Sequence, residues 1–129
     1  MFKRIDHIAL EVTDLTSSAA FYEKHFGFHE YFSHVTPGGT KIIYLKLGDT
    51  LLELVESPGA KIQGCHFALE TIDLNKSISY LLEQGVAVFQ DIHHTPPRRH
   101  FERDWRRIVF LGPDQELIEI RGPYKNKVG

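Results

Sequence analysis

The stretch H-I-A-L-E-V-T-D-L-T-S-S at residues 7–18 returns as H-F-A-L-E-T-I-D-L-N-K-S at residues 66–77, and seven of the twelve positions are identical. A repeat of this kind indicates that one supersecondary unit has been used twice. In each copy an apolar strand pattern leads through an aspartate, a preferred N-cap residue, into an amphipathic helix pattern. The repeat therefore predicts a fold built from two similar modules.

Strand patterns separated by turn residues follow the helix in both copies. They cover residues 28–34, 41–47, 50–56, 86–92, 107–111 and 116–121. Each half therefore reads β-α-β-β-β, and the two modules are predicted at residues 1–57 and 62–125. Because the link between them is short and turn-like, we expect a single domain over residues 1–129.

The composition limits the partners and the location of the protein. A chain of 129 residues with a net charge of −2 is large enough for one core, and it lacks the basic surface that nucleic-acid binding requires. No apolar run approaches the roughly 18 residues of a membrane span, and the first residues lack a signal-peptide core. The single cysteine, Cys65, fits a reducing compartment. We expect a cytoplasmic protein that binds a small-molecule substrate, but neither nucleic acid nor membrane.

Four polar residues interrupt otherwise apolar strands: His7, Glu53, His66 and Glu119. Taken singly, each has an ordinary explanation as a hydrogen-bonded or solvent-facing strand residue. Burying an ionised carboxylate without a partner is expensive, however, and both glutamates have apolar neighbours. A divalent cation bound by two imidazoles and two carboxylates would offset that cost. We therefore interpret the four residues together as candidate metal ligands.

Two stretches of the chain resemble the vicinal oxygen chelate superfamily, which includes glyoxalase I, methylmalonyl-CoA epimerase, fosfomycin-inactivating thiol transferases, extradiol dioxygenases and bleomycin-binding proteins. They are D-H-I-A-L-E-V-T-D-L-T-S-S-A-A-F-Y-E-K-H-F-G-F at residues 6–28 and F-L-G-P-D-Q-E-L-I-E-I at residues 110–120. The second stretch departs from the family's D-P-D-G turn at Gly112 and Gln115. The resemblance implies an α+β fold of two βαβββ modules, each a curled mixed sheet with one helix.

The resemblance also implies a site and a reaction. It carries the family's metal ligands to His7, Glu53, His66 and Glu119, a set similar to that of glyoxalase I. The implied activity is that of a metal-dependent lyase or isomerase of the lactoylglutathione lyase type. Such an enzyme acts on a small carbonyl compound or its thiol adduct, by proton transfer through a metal-stabilised enediolate. The cofactor would be one divalent ion per site, of Ni, Zn, Co, Mn or Fe.

Within this implied mechanism, Glu119 is the expected catalytic base and Glu53 its counterpart across the metal. The thiol carrier is left open, because Glu11 and Ser57 replace the Arg and Asn that hold glutathione carboxylates in related glyoxalases. The family forms its sites either within one chain or across a swapped dimer, and we expect a homodimer.

The segment H-H-T-P-P-R-R-H-F-E-R-D-W-R-R at residues 93–107 is predicted to be a basic loop near the site. Three of its arginines are candidates to bind a carboxylate or phosphate of the substrate: Arg98, Arg99 and Arg103. A solvated loop whose arginines pair with Glu102 and Asp104 is an equally good interpretation.

Other functions within the superfamily are also consistent with the sequence. An acyl-CoA epimerase would use the basic loop for phosphates, and a thiol transferase would need only His7, His66 and Glu119. A non-catalytic protein that sequesters an antibiotic would need no metal. The four candidate ligands favour an enzyme over such a binding protein.

Overall fold

The structure, a computed structural model, describes residues 1, 4–60 and 66–126. The chain divides into two compact units, residues 1–63 and 64–129. The predicted start of the second module at residue 62 lies outside the described residues, as does Cys65. No helix in the described part of the chain is long and apolar enough to cross a membrane.

The first unit forms the predicted βαβββ module. Its elements are β1 (Ile8–Val12), α1 (Leu15–Phe26), β2 (His29–Val35), β3 (Lys41–Leu47) and β4 (Thr50–Glu56). The strand order is β1-β4-β3-β2, with β1 parallel to β4 and the other neighbours antiparallel. The Asp14 side chain caps the start of α1 by accepting from the Ser17 amide, and Gly27 ends the helix with a φ of 77°. That left-handed backbone favours glycine.

The second unit repeats this topology. Its elements are β5 (His66–Glu70), α2 (Leu74–Glu83), β6 (Val88–His94), a short 3-10 helix (His100–Glu102), β7 (Trp105–Leu111) and β8 (Leu117–Pro123). The strand order is β5-β8-β7-β6, and β5 is parallel to β8. Two mixed four-stranded sheets, each with one helix, confirm the predicted α+β fold of two βαβββ modules.

The connection between β6 and β7 is shorter than the loop predicted at 93–107. Strand β6 continues to His94, and β7 already begins at Trp105, so that His93 pairs with Arg107. An antiparallel ladder satisfies the backbone of polar and apolar residues alike. Because this segment is polar, the sequence pattern did not indicate that β6 extends to His94 or that β7 begins at Trp105.

The core of each unit lies between its helix and one face of its sheet. The fully buried side chains include Val12, Tyr22, Leu45 and Leu54 in the first unit and Leu74, Ile108, Phe110 and Ile118 in the second. Each large apolar side chain of this kind contributes about 1.5–3 kcal/mol to stability. Because successive strand residues point to opposite faces, Glu53 and Glu119 lie on the face away from the core.

The turn between β7 and β8 contains Gly112 and Gln115, the two residues that depart from the family's turn sequence. Gln115 has a φ of 68°, the left-handed conformation for which glycine is favoured. A Cβ atom on Gly112 would lie 2.2 Å from the carboxylate carbon of Glu116, so the absence of a side chain there makes room for that carboxylate. Glu116 is buried, and its Oε1 accepts from the Asp114 amide at 2.8 Å.

Candidate functional site

In the first unit, His7 and Glu53 are spaced as two ligands of one metal ion would be. His7 Nε2 is 3.6 Å from Glu53 Oε1, and His7 Nδ1 is 2.9 Å from Asp6 Oδ2. Two donors that each lie about 2.1 Å from a shared ion are roughly 3–3.5 Å apart. A carboxylate behind a metal-binding histidine fixes its tautomer and its orientation. Asp6 is placed to do this for His7.

Tyr44 lies beside both His7 and Glu53. It is paired with Glu53 across β3 and β4, and its ring edge meets the His7 ring with the centroids 5.5 Å apart. The hydrogen bond to Glu53 is the main cause that raises the pKa of Tyr44 above its ordinary value, and burial and the charges of Glu53 and Asp6 act in the same direction. The phenol therefore stays a donor to Glu53 at neutral pH. The sequence interpretation missed Tyr44, although strand alternation and hairpin register could have placed it beside Glu53.

In the second unit, His66 and Glu119 line one pocket. Strands β5 and β8 are parallel neighbours in which His66 pairs with Leu117 and Ala68 pairs with Glu119, so the two candidate ligands are two residues out of register. The described lining consists of His66, Phe89, Gln90, Arg107, Val109, Leu117 and Glu119. His66 is exposed, whereas Glu119 is only 3% exposed.

The buried Glu119 carboxylate is ion-paired with two arginines. Arg107 Nη1 donates to Oε1 at 3.0 Å, and Arg121 Nη1 donates to Oε2 at 3.3 Å. Arg121 lies two residues further along β8, on the same face as Glu119, and pairs with Arg107 of β7. Two guanidinium groups therefore offset the burial cost for which the sequence interpretation had invoked a metal ion.

A second buried carboxylate, Glu102, joins this cluster. It accepts from the backbone amide, Nε and Nη2 of Arg98 at 3.1, 3.0 and 2.9 Å, and Arg121 Nη2 lies 3.8 Å from its Oε1. The hydrogen bond from the Arg98 side chain is the largest cause that lowers the pKa of Glu102, against the opposing effect of burial. We call residues Arg98, Glu102, Arg107, Glu119 and Arg121 the arginine–carboxylate cluster.

Arg107 is also held by His93. His93 Nδ1 lies 2.8 Å from the Asp91 carbonyl oxygen, which assigns the ring proton to Nδ1. His93 Nε2 is then the acceptor for Arg107 Nε. The Arg107 guanidinium is thus fixed from two sides, by a carboxylate and by a neutral imidazole.

The three arginines predicted to bind substrate are not among the described residues that line the pocket of His66 and Glu119. Arg98 is bound to Glu102, the Arg99 guanidinium lies 5.8 Å from the centre of the Phe101 ring, and Arg103 is exposed. Their role in substrate binding stays a prediction. Arg107, by contrast, is one of the described residues that line the pocket with His66 and Glu119. The sequence interpretation did not single out Arg107, because the predicted loop at 93–107 included the first residues of β7.

The donor set fits a divalent metal better in the first unit than in the second. Within residues 4–60 and 66–126, no group of three or more His, Cys, Asp or Glu side chains is close enough to hold a metal ion. The pair His7 and Glu53 has the spacing and the supporting carboxylate that a metal needs. Glu119 retains lone pairs for a ligand, but two guanidinium groups beside it disfavour a further cation.

Two βαβββ modules, each with a glutamate on the sheet face away from its core and a histidine at the start of its first strand or directly before it, define a glyoxalase-like class of protein. The chain matches the model of the Glyoxalase/Bleomycin resistance protein/Dioxygenase superfamily over residues 4–120. It belongs to this superfamily, as the sequence resemblance predicted.

Solved structures with the same fold include proteins of different function. TnmS3, an antibiotic binding protein from Streptomyces sp. CB03234, is 25% identical, with 95% of this chain and 97% of that chain covered and a TM-score of 0.75. A glyoxalase family protein from Enterococcus faecalis is 24% identical, with 93% and 98% covered and a TM-score of 0.72. The fosfomycin resistance protein FosX from Listeria monocytogenes, in complex with Mn(II) and dihydroxypropylphosphonic acid, is 21% identical, with 93% and 92% covered and a TM-score of 0.69.

Proposed function

We propose that this protein is a metal-dependent lyase or isomerase of the glyoxalase I type, which acts on a small carbonyl compound or its thiol adduct. The observation that carries the proposal is the first-unit array, in which Asp6 orients His7 and His7 Nε2 lies 3.6 Å from Glu53. A structural relative, FosX, has been solved in complex with Mn(II), so the superfamily fold accommodates a divalent ion.

In this proposal His7 and Glu53 are the metal ligands that the described contacts favour, and His66 and Glu119 are the two further ligands that the family resemblance implies, although the arginines beside Glu119 oppose a cation there. The bound ion would polarise a carbonyl oxygen of the substrate, which makes the neighbouring C–H more acidic. Asp6 keeps the His7 Nε2 lone pair directed toward the site, and Tyr44 holds Glu53 by donating to it. Phe89 supplies an apolar surface beside His66 and Glu119.

The contacts favour Glu53 over Glu119 as the base that takes the substrate proton. Both Glu119 oxygens already accept from guanidinium groups, which fixes the orientation of the carboxylate and occupies a lone pair on each oxygen. Glu53 has a phenol and an imidazole as its described neighbours, and its side chain is 13% exposed. Glu119 then serves as a ligand and counter-charge, a reversal of the roles expected from the family resemblance.

A metal titration followed by an activity assay tests the proposal. Protein freed of metal with a chelator is titrated calorimetrically with Mn(II), Co(II), Ni(II) and Zn(II). We expect binding that His7→Ala weakens at least about tenfold, since His7 is a proposed ligand. His29→Ala, on the exposed strand β2, is the matched control and leaves the affinity unchanged. Failure of all four ions to bind would overturn the enzyme proposal.

The activity assay uses hemithioacetals of methylglyoxal with several thiols, together with acyl-CoAs and thiol acceptors. Glu53→Gln is expected to lower kcat by at least about a hundredfold, the usual contribution of a general base. Full turnover of Glu53→Gln with full metal content would rule out Glu53 as the base. Turnover of acyl-CoAs or of thiol acceptors alone would identify the epimerase or the transferase alternative instead.

A metal-free protein that binds a small molecule is the second candidate, and the ion pairs of Glu119 favour it. A buried carboxylate that two arginines already neutralise needs no cation. The antibiotic binding protein TnmS3 is 25% identical to this chain over nearly its whole length. If metal binding fails, binding of an antibiotic to the metal-free protein is the result that would support this alternative.

A further inference from the structure

We propose that the pocket of the second unit binds an oxyanion of the ligand, a carboxylate or phosphate group, with Arg107 as the principal binding residue. The inference deepens the proposed function. It rests on that function in one respect, namely that His66 and Glu119, two of the proposed metal ligands, line this same pocket. It assigns a class to the substrate, namely a small anionic molecule.

The first observation is the charge of the arginine–carboxylate cluster. Its five members comprise three arginines and two glutamates, so arginines outnumber the carboxylates that contact them, although Arg98 is 56% exposed and the exposed Glu70 pairs with Arg121 across β5 and β8. The Glu102 and Glu119 carboxylates are both buried, and each contacts two arginines of the cluster. An anionic group would pair with Arg107 at a partly desolvated position, where charge-assisted hydrogen bonds are strong.

The second observation is the fixed position of the Arg107 guanidinium. Its Nη1 donates to Glu119 and its Nε to His93, while Nη2 has no hydrogen-bond partner among the described residues. The side chain is 32% exposed and borders the pocket together with Gln90 and His66, which can also donate hydrogen bonds. Because the guanidinium is already ordered, an oxyanion that binds to it costs little additional conformational entropy.

The third observation is that the cluster has more donors than acceptors. Arg121 Nε is buried and has no hydrogen-bond partner among the described residues. Its guanidinium lies 5.9 Å from the ring centre of Trp105. Arg121 is not among the described residues that line the pocket, so its unpaired donor indicates that donors exceed acceptors in the cluster behind Glu119, while Arg107 is the arginine that reaches the ligand.

Calorimetric titration with inorganic phosphate and with acetate tests the inference, on metal-free protein and on metal-loaded protein. We expect at least one of the two anions to bind to the metal-free wild type, and Arg107→Met to weaken that binding at least tenfold. Which of the two binds more tightly identifies the class of oxyanion. Arg106→Met is the matched control, because it removes the same charge from the neighbouring position of β7, whose side chain contacts the Trp105 carbonyl instead.

Several outcomes would overturn the inference. These are equal affinities of wild type and Arg107→Met, equal weakening by Arg106→Met, and failure of both anions to bind in both metal states. If Arg107→Met loses its native circular dichroism, Arg107→Lys takes its place, and it should weaken binding severalfold because it keeps the charge but loses the planar fork. Anion binding without metal binding would refute the proposed function alone, and metal binding without anion binding would refute this inference alone.

Discussion

The two modules share their strand order and pairing but differ in how they accommodate the site carboxylate. In the first module, Glu53 has the phenol of Tyr44 and the imidazole of His7 as its described neighbours. In the second module, Glu119 contacts two permanent cations. The first arrangement leaves a carboxylate available for a metal ion or a proton, and the second produces a neutralised carboxylate inside a positively charged surrounding.

Tyr44 stands opposite Glu53 where Val109 stands opposite Glu119. Two further positions account for the difference in charge. Ile42 and Val55 are paired across β3 and β4, as Arg107 and Arg121 are paired across β7 and β8. In each module, the residue on the last strand lies two positions beyond the site glutamate. A repeated backbone therefore fixes where a side chain points, while the side chain itself decides whether the face suits a cation or an anion.

The largest expected effect comes from making the second module resemble the first at Arg121. Arg121→Val, which copies Val55, removes one of the two cations from buried Glu119. Breaking a buried ion pair costs about 3–5 kcal/mol when the remaining charge is left uncompensated. Because Arg107 still contacts Glu119 and Arg98 still contacts Glu102, we expect a smaller loss of about 1.5–3 kcal/mol in urea unfolding followed by circular dichroism.

A second variant controls for simple loss of packing. Arg121→Met keeps most of the side-chain volume but removes the charge, so it should lose nearly as much stability as Arg121→Val. An Arg121→Val variant that unfolds within about 0.5 kcal/mol of wild type would mean that the arginine pair does not offset the burial of Glu119.

A smaller, pH-dependent effect is expected at Glu102. Its pKa is lowered in the folded protein, chiefly by Arg98, so its contribution to stability is complete above the ordinary carboxyl value of 4.5. The contribution is lost as the pH falls through the lower pKa of the folded state. Glu102→Gln should therefore flatten the decline in unfolding free energy at acid pH. Glu11→Gln, on β1 of the first module, should leave that decline close to wild type, and equal slopes for all three proteins would contradict the prediction.

The smallest effect concerns the hairpin turns of the two modules. Gly48 occupies the left-handed position between β3 and β4 with a φ of 60°, whereas Gln115 occupies such a position between β7 and β8. Gln115→Gly should raise the unfolding free energy by about 0.5–1 kcal/mol, after allowance for the greater freedom of glycine in the unfolded chain. Gly48→Gln should lower it by a similar amount. A destabilised Gln115→Gly variant would indicate that the Gln115 side chain itself stabilises the turn.

Most of the fold was predictable because its signals are local or periodic. The repeated H-x-A-L-E strand, the Asp14 cap and Gly27 are sufficient to place β1 and α1, and alternation is sufficient to place the buried face of each sheet. The ends of β6 and β7 were not predictable in this way. His93 and Arg107 are polar, and their strand conformation follows from pairing with each other.

The candidate site was predictable only as a set of strand positions. Alternation places Glu53 and Glu119 on the faces away from the core, and both glutamates occupy those faces. The partners of each glutamate depend on cross-strand register and on side-chain reach, which one strand's sequence does not contain. The interpretation that a buried carboxylate requires a metal thus overlooked Arg107, which is near Glu119 only through the β7–β8 hairpin.

The parallel pairing of the first and last strands in each module also orders events during synthesis. Ala9 of β1 pairs with Glu53, and Ala68 of β5 pairs with Glu119, so the partners are 44 and 51 residues apart. Contacts over such separations form after local helices and hairpins, because a long loop must close first. The first strand of each module therefore leaves the ribosome early and stays unpaired until the strand with the glutamate emerges. Until then it is exposed to wrong pairing, and Arg121, the second cation that contacts Glu119, is made after both Arg107 and Glu119.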